Sequence, residues 1–158
     1  MACSVENRQR RVTIPARRLA AAAARALAAV GRSGGALEIL VVDDAGIRAV
    51  NTSYRGVRRR TDVIAFPLEI PQAAGGLVGQ IVISAETAER QARRLAIPLG
   101  QELELLATHG VLHLVGYDDR DPVEADLMHC RERDILSVTS APPARLWRGL
   151  LPGEGRRP

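Results

Sequence analysis

The chain is poor in aromatic residues and cysteine, and it has no lysine at all. Its four aromatics are Tyr54, Phe66, Tyr117 and Trp147. A platform that stacks successive bases would draw on more, because the core has first claim on large rings. The two cysteines, Cys3 and Cys130, form no C-x-x-C pair and exclude a disulfide framework, which fits a reducing compartment. No apolar run is long enough to cross a bilayer. The Ala-rich stretch from Leu19 to Val30 is interrupted by Arg25 and preceded by Arg17 and Arg18, so neither a membrane span nor a signal segment is expected. The expected location is the cytoplasm. All 22 basic side chains are Arg, a bias that genome composition explains by itself.

The chain has 158 residues, 46% of them hydrophobic, enough for one domain to bury a core without disulfides or a structural metal. A bound metal would therefore serve chemistry. Charge is unevenly spread. Residues 1–60 carry twelve Arg against four carboxylates, whereas residues 118–134 carry seven carboxylates against three Arg. A basic first half beside an acidic segment suits a polyanion held next to a metal centre, with a solvated surface as the competing explanation.

Residues 11–14 (RVTI) read as a short strand, and Pro15 opens a helix that ends near Gly31. Residues 36–42 form a compact apolar strand, and Asp43 and Asp44 cap a helix through about Ser53. Residues 61–67 (TDVIAFP) and 77–84 (LVGQIVIS) read as two more strands. Ser84 caps a helix with acidic residues early and Arg late, the order favoured by the helix dipole. Two further helices span residues 98–115 and 122–138. The expected fold class is α+β (mixed α/β), a single small domain over residues 1–140. It has a roughly four-stranded mixed sheet and about five helices, one of them central. Residues 141–158 are expected to form a flexible tail, in which Leu146, Trp147 and Leu150 could still dock.

The chemistry concentrates in THGVLHLVGYDD, residues 108–119. His109 and His113 are four apart and share a helix face. Gly116 stands where a left-handed residue would end the helix and turn the chain back, bringing Asp119 round as a third ligand. This is the H-x-x-x-H-x-x-G-x-x-H spacing of zinc proteases with two changes. Gly110 replaces the general-base Glu, and Asp119 replaces the third His. Two imidazoles and a carboxylate leave an open position for water, as catalytic zinc sites do. Asp118 and Asp121 are more simply explained as a turn former and a helix cap.

Four ordered blocks, NTSYR (51–55), TDVIAFP (61–67), GQIVIS (79–84) and HGVLHLVGYDD (109–119), followed by Met128 and Glu132, resemble the YbeY family of bacterial endoribonucleases. The resemblance implies a small mixed fold and one divalent metal, usually zinc, held by His109, His113 and Asp119. It also implies cleavage of single-stranded RNA, in 3′-end maturation of small-subunit rRNA and ribosome quality control. The implied partners are single-stranded rRNA, the small ribosomal subunit and its assembly factors. Arg55 would pair with the phosphate and, with His109 and His113, make up the catalytic set, while Arg58, Arg59 and Arg60 would track the RNA backbone. Three positions depart from the family pattern: Asp119 for a histidine, Gln80 for an acidic residue and Ala65 for a serine. A carboxylate at 119 makes a harder ion such as manganese more competitive, and Gln80 removes a carboxylate that could tune the site. Two other functions fit the same residues: a non-catalytic RNA-binding assembly factor with a structural metal, and a metzincin-like metal hydrolase acting on peptides.

Overall fold

In the computed structural model the described residues are 3–32, 34–53, 58–59, 63–67, 77–138 and 142–149. The strands β1 (Cys3–Asn7), β2 (Ala36–Val42), β3 (Arg58–Arg59), β4 (Val63–Pro67) and β5 (Leu77–Ser84) form one mixed sheet in the order β1-β2-β5-β4-β3. β1, β2 and β5 run parallel, and β4 is antiparallel to both β5 and β3. The helices are α1 (Ala16–Ala29), α2 (Asp44–Ser53), α3 (Ala85–Leu95), α4 (Leu99–Leu114) and α5 (Pro122–Leu136), with a short 3-10 helix at Ala144–Gly149. This is the expected α+β fold with one two-residue strand more.

The first strand is not where the sequence placed it. Residues 11–14 lie outside any strand, and the strand that pairs with β2 is β1. The reason is local: the buried Gln9 amide takes the backbone bonds a neighbouring strand would have supplied. Its Nε2 donates to the Val12 carbonyl at 2.8 Å, and its Oε1 accepts from the Arg11 and Val12 amides at 3.0 Å each.

Strand alternation divides the core in two. Leu37, Ile39, Val41, Val63, Ile81 and Ile83 face the main core, which α1, α3, α4 and α5 complete. Leu40, Val42, Ile64, Phe66 and Val82 face the other side, where Ile47 and Val50 of α2 cover them. Helix α4 is buried along most of its length, packed by α1, α3, α5, β4 and β5. Two glycines let it approach the sheet. A Cβ at Gly110 would meet Ile81 Cδ1 at 2.7 Å, and one at Gly79 would meet Leu114 Cδ2 at 2.7 Å. These two contacts run α4 antiparallel to β5 and set its C-terminal end over Gly79, where β5 pairs with Pro67.

Of residues 141–158, Ala144–Gly149 is not a flexible tail. Leu146 and Trp147 are buried, and Arg145 donates from Nε to the Leu95 carbonyl (2.9 Å) and from Nη2 to that of Ala96 (3.0 Å), capping the end of α3. Leu150 lies outside the described residues.

Candidate metal centre

His109 and His113 occupy one face of α4, one turn apart, and the helix ends as the sequence predicts. Gly116 has φ +105°. The Tyr117 amide donates to the Leu112 carbonyl (3.0 Å) and the Gly116 amide to that of His113 (3.1 Å), the paired bonds of a Schellman turn. The chain then doubles back. Asp118 accepts from the Arg120 amide (3.0 Å), and Asp121 caps α5 by accepting from the Val123 and Glu124 amides (3.1 Å each). Between these two fixed turns, Asp119 is carried to the histidines.

The donor atoms converge. His109 Nε2 lies 3.0 Å from His113 Nε2 and 3.4 Å from Asp119 Oδ2, and His113 Nε2 lies 3.7 Å from Asp119 Oδ1. Ligands at zinc-bond lengths of about 2.0–2.1 Å in tetrahedral array stand roughly 3.3 Å apart, so the spacing matches such a set. Among the described residues this is the only group of His, Cys and carboxylate donors that could hold a metal.

Hydrogen bonds at the far side of each ring make the case stronger. His113 Nδ1 donates to the Tyr117 carbonyl at 3.0 Å, and His109 Nδ1 donates to Glu132 Oε2 at 2.6 Å. Both Nδ1 atoms therefore carry protons, and two neutral rings would point lone pairs at each other across 3.0 Å. Something positive has to sit between them. Without an ion it is a proton: burial opposes charge on His109, but Glu132 and Asp119 outweigh it and raise its pKa to about 9. Burial, with charged His109 beside it, lowers His113 to about 4. Glu132 is fully buried, which favours its neutral form, yet the attraction of His109 and the hydrogen bonds from His109 and His129 hold it at about 2. A divalent ion held by these donors would take over the proton's role, and His109 Nε2 would give that proton up.

Sequence reasoning assigned no role to Glu132 or His129. A signal was present: Glu132 falls on the buried stripe of α5 with Ala125, Met128, Ile135 and Leu136, and an acid on a core stripe requires partners.

A family model described as endoribonuclease YbeY matches residues 4–140. An endoribonuclease YbeY from Anaeromyxobacter sp. (strain Fw109-5) is 42% identical over 134 residues, which are 85% of this chain and 70% of the relative. The chain belongs to the endoribonuclease YbeY family. The family member from Geobacter sulfurreducens is 36% identical over 87% of this chain and 95% of its own length. The solution structure of TM1509 from Thermotoga maritima shares the fold, with a TM-score of 0.56 at 21% identity over 92% of this chain and 89% of that one.

Two departures from the family pattern now have places. Gln80 donates to Glu38 Oε1 at 3.2 Å and alternates with Ile81, so it lies on the sheet face turned away from α4, the helix that carries His109 and His113. Ala65 is buried and pairs with Ile81 on the α4 side. Arg55 and Arg60, with Tyr54, lie outside the described residues. Arg58 and Arg59 form β3 in register with Ala65 and Ile64, so the two positions belong to opposite faces of the sheet.

Proposed function

We propose that the protein is a metal-dependent endoribonuclease of the cytoplasm that cleaves single-stranded RNA. Its proposed work is 3′-end maturation of small-subunit 16S rRNA and ribosome quality control, beside the small subunit and its assembly factors. The observation that carries this reading is the pair of Nε2 atoms 3.0 Å apart with the Asp119 carboxylate closing the third side, in a chain of this family. His109, His113 and Asp119 would hold one divalent ion, zinc being the expected one. Bound there, it would supply Lewis acidity toward a phosphoryl oxygen or a water.

The chain's own part is to orient and to neutralise. Glu132 and the Tyr117 carbonyl fix both rings with Nε2 inward. Arg55 is the group proposed to pair with the phosphate and to stabilise charge growing on it in the transition state. A peptide hydrolase is disfavoured by Gly110. A carboxylate there would have to displace Ile81, and the position faces the sheet.

Cleavage of a single-stranded oligoribonucleotide, measured beside metal content, tests the proposal. Activity should disappear on chelation, return with Zn2+ or Mn2+, and be absent in His113→Ala. Full binding of RNA without cleavage, at any metal loading, would instead indicate the assembly factor with a structural metal.

A further inference from the structure

Glu132 receives three N–H donors in the core, and they come from three parts of the chain. His109 of α4 donates to Oε2 at 2.6 Å. His129, one turn back on α5 itself, donates to Oε1 at 2.7 Å, and the indole Nε1 of Trp147 donates to the same oxygen at 3.0 Å. With two donors on Oε1, the carboxylate cannot rotate without breaking both bonds, and Oε2 stays aimed at His109 Nδ1. The His129 bond is local to one helix. The Trp147 bond is the one that ties a separate segment to the site.

That segment is firmly seated. Arg145 holds the end of α3, Leu146 is fully buried, and the Arg133 guanidinium lies 4.8 Å from the centre of the Trp147 ring. Trp147 is itself 2% exposed, so its N–H has no water to turn to and its bond to Glu132 is the polar contact that justifies burying it.

We propose that Trp147 is a positioning residue for the metal centre: through Glu132 it sets the tautomer and orientation of His109, so that residues 144–149 support the site from behind. The inference rests on the reading of His109, His113 and Asp119 as metal ligands. It adds that the segment after α5 determines how tightly they bind. Removing the group bonded directly to a ligating imidazole, the place Glu132 would hold, commonly costs ten- to a hundredfold in metal affinity, and Trp147, one bond further out, should fall at the low end of that range.

The test uses the full chain. Zn2+ and Co2+ affinities, from chelator competition and from Co2+ absorption, are measured for the native chain, Trp147→Phe, Glu132→Met and the double variant. Phe keeps most of the apolar volume and removes only the donor, and Met keeps the length of Glu132 and removes the acceptor. Trp147→Phe should weaken binding about tenfold, and in the Glu132→Met background it should add nothing. Native affinity in Trp147→Phe, or a loss that persists undiminished without Glu132, would mean that Trp147 only packs, and would overturn the proposal. If the native chain takes up no ion, the ligand reading itself fails and this inference falls with it. Should Trp147→Phe not fold, the native chain decides, because Trp147 is its sole tryptophan. Zn2+, a closed-shell ion without redox chemistry, should shift Trp147 emission with the midpoint of metal binding, and emission indifferent to saturating Zn2+ would overturn the coupling.

Discussion

A carboxylate where a third imidazole is expected changes the net charge of the donor set by one unit, and this makes Asp119 the most informative single residue. Its oxygens lie 3.4 and 3.7 Å from the two Nε2 atoms, a position from which it would serve the proposed ion as a ligand and, without an ion, can accept from the proton that His109 holds. Asp119→His should keep or raise zinc affinity while lowering affinity for manganese, since imidazole suits the softer ion. Isothermal titration of both metals against both proteins measures the preference. A fall in zinc affinity would mean that Asp119 is not a ligand. Arg55 poses the complementary question, whether a guanidinium binds substrate or acts in the reaction. If it contacts phosphate most strongly as negative charge develops, Arg55→Ala should lower the single-turnover rate at saturating RNA about a hundredfold, the scale of one lost transition-state donor. RNA affinity and metal content should change little. Arg55→Lys should recover part of the rate, because a point charge cannot make two parallel bonds to a phosphate. A variant that binds RNA tenfold worse yet cleaves normally once bound would restrict Arg55 to holding the substrate.

At the scale of elements, α4 is positioned by what it lacks. Gly110→Ala would drive a methyl to within 2.7 Å of Ile81 Cδ1 and 3.1 Å of Cγ1. Overpacking of this kind costs about 1–3 kcal/mol, which urea unfolding should register. The tie between α2 and α3 predicts a pH effect. Asp44, in the first turn of α2, accepts from Ser84 Oγ (2.6 Å) and Thr87 Oγ1 (2.5 Å) and pairs with Arg90 at 2.8 Å. Burial by itself would raise its pKa, but these bonds outweigh it and hold the group below its ordinary 3.8. A depressed folded pKa means that the stabilisation is present above pH 3.8 and is lost as pH falls through the lowered value. Asp44→Asn should therefore destabilise the protein near neutral pH, with the difference shrinking below that window. A difference independent of pH would assign the acid sensitivity to another group. Which elements were legible from sequence follows the same physics. Helices with strong end signals, Ser84 before α3, Asp121 before α5 and Gly116 after α4, stand where those residues put them. The strand expected at 11–14 failed because Gln9, a residue without any strand or turn signature, satisfies that backbone from its side chain. The convergence of His109, His113 and Asp119 could be read from spacing along one helix and its exit turn. Its support by Trp147, 38 positions after His109, depends on tertiary packing that no local pattern encodes.

At the scale of the whole molecule, the charge asymmetry of the sequence separates into two parts. Of the seven carboxylates in residues 118–134, Asp119 belongs to the candidate donor cluster and Glu132 is buried behind it, so the site absorbs two of them. Asp121, Glu124, Asp126 and Asp134 remain exposed around α5 and would repel a phosphate backbone approaching from that side. RNA that reaches the centre should therefore come in from the arginine-rich part of the chain, where β3 forms the sheet edge beyond β4. Arg58, Arg59 and Arg60 are the residues proposed to track its backbone. Each phosphate contact with a single strand contributes a slope of about −0.7 in log affinity against log salt, so neutralising all three to Gln should flatten the dependence by roughly two units. The loss should be uniform across RNA sequences, since backbone contacts carry no base information. Because successive positions of a strand alternate between the faces of its sheet, the single Arg58 and Arg59 variants should be unequal. One of the two should account for most of the change, and fluorescence anisotropy over a salt series on the single and triple variants would show which face the strand crosses. An unchanged slope in the triple variant would move the RNA track off this edge altogether and leave the remaining arginines of the first sixty residues to supply it.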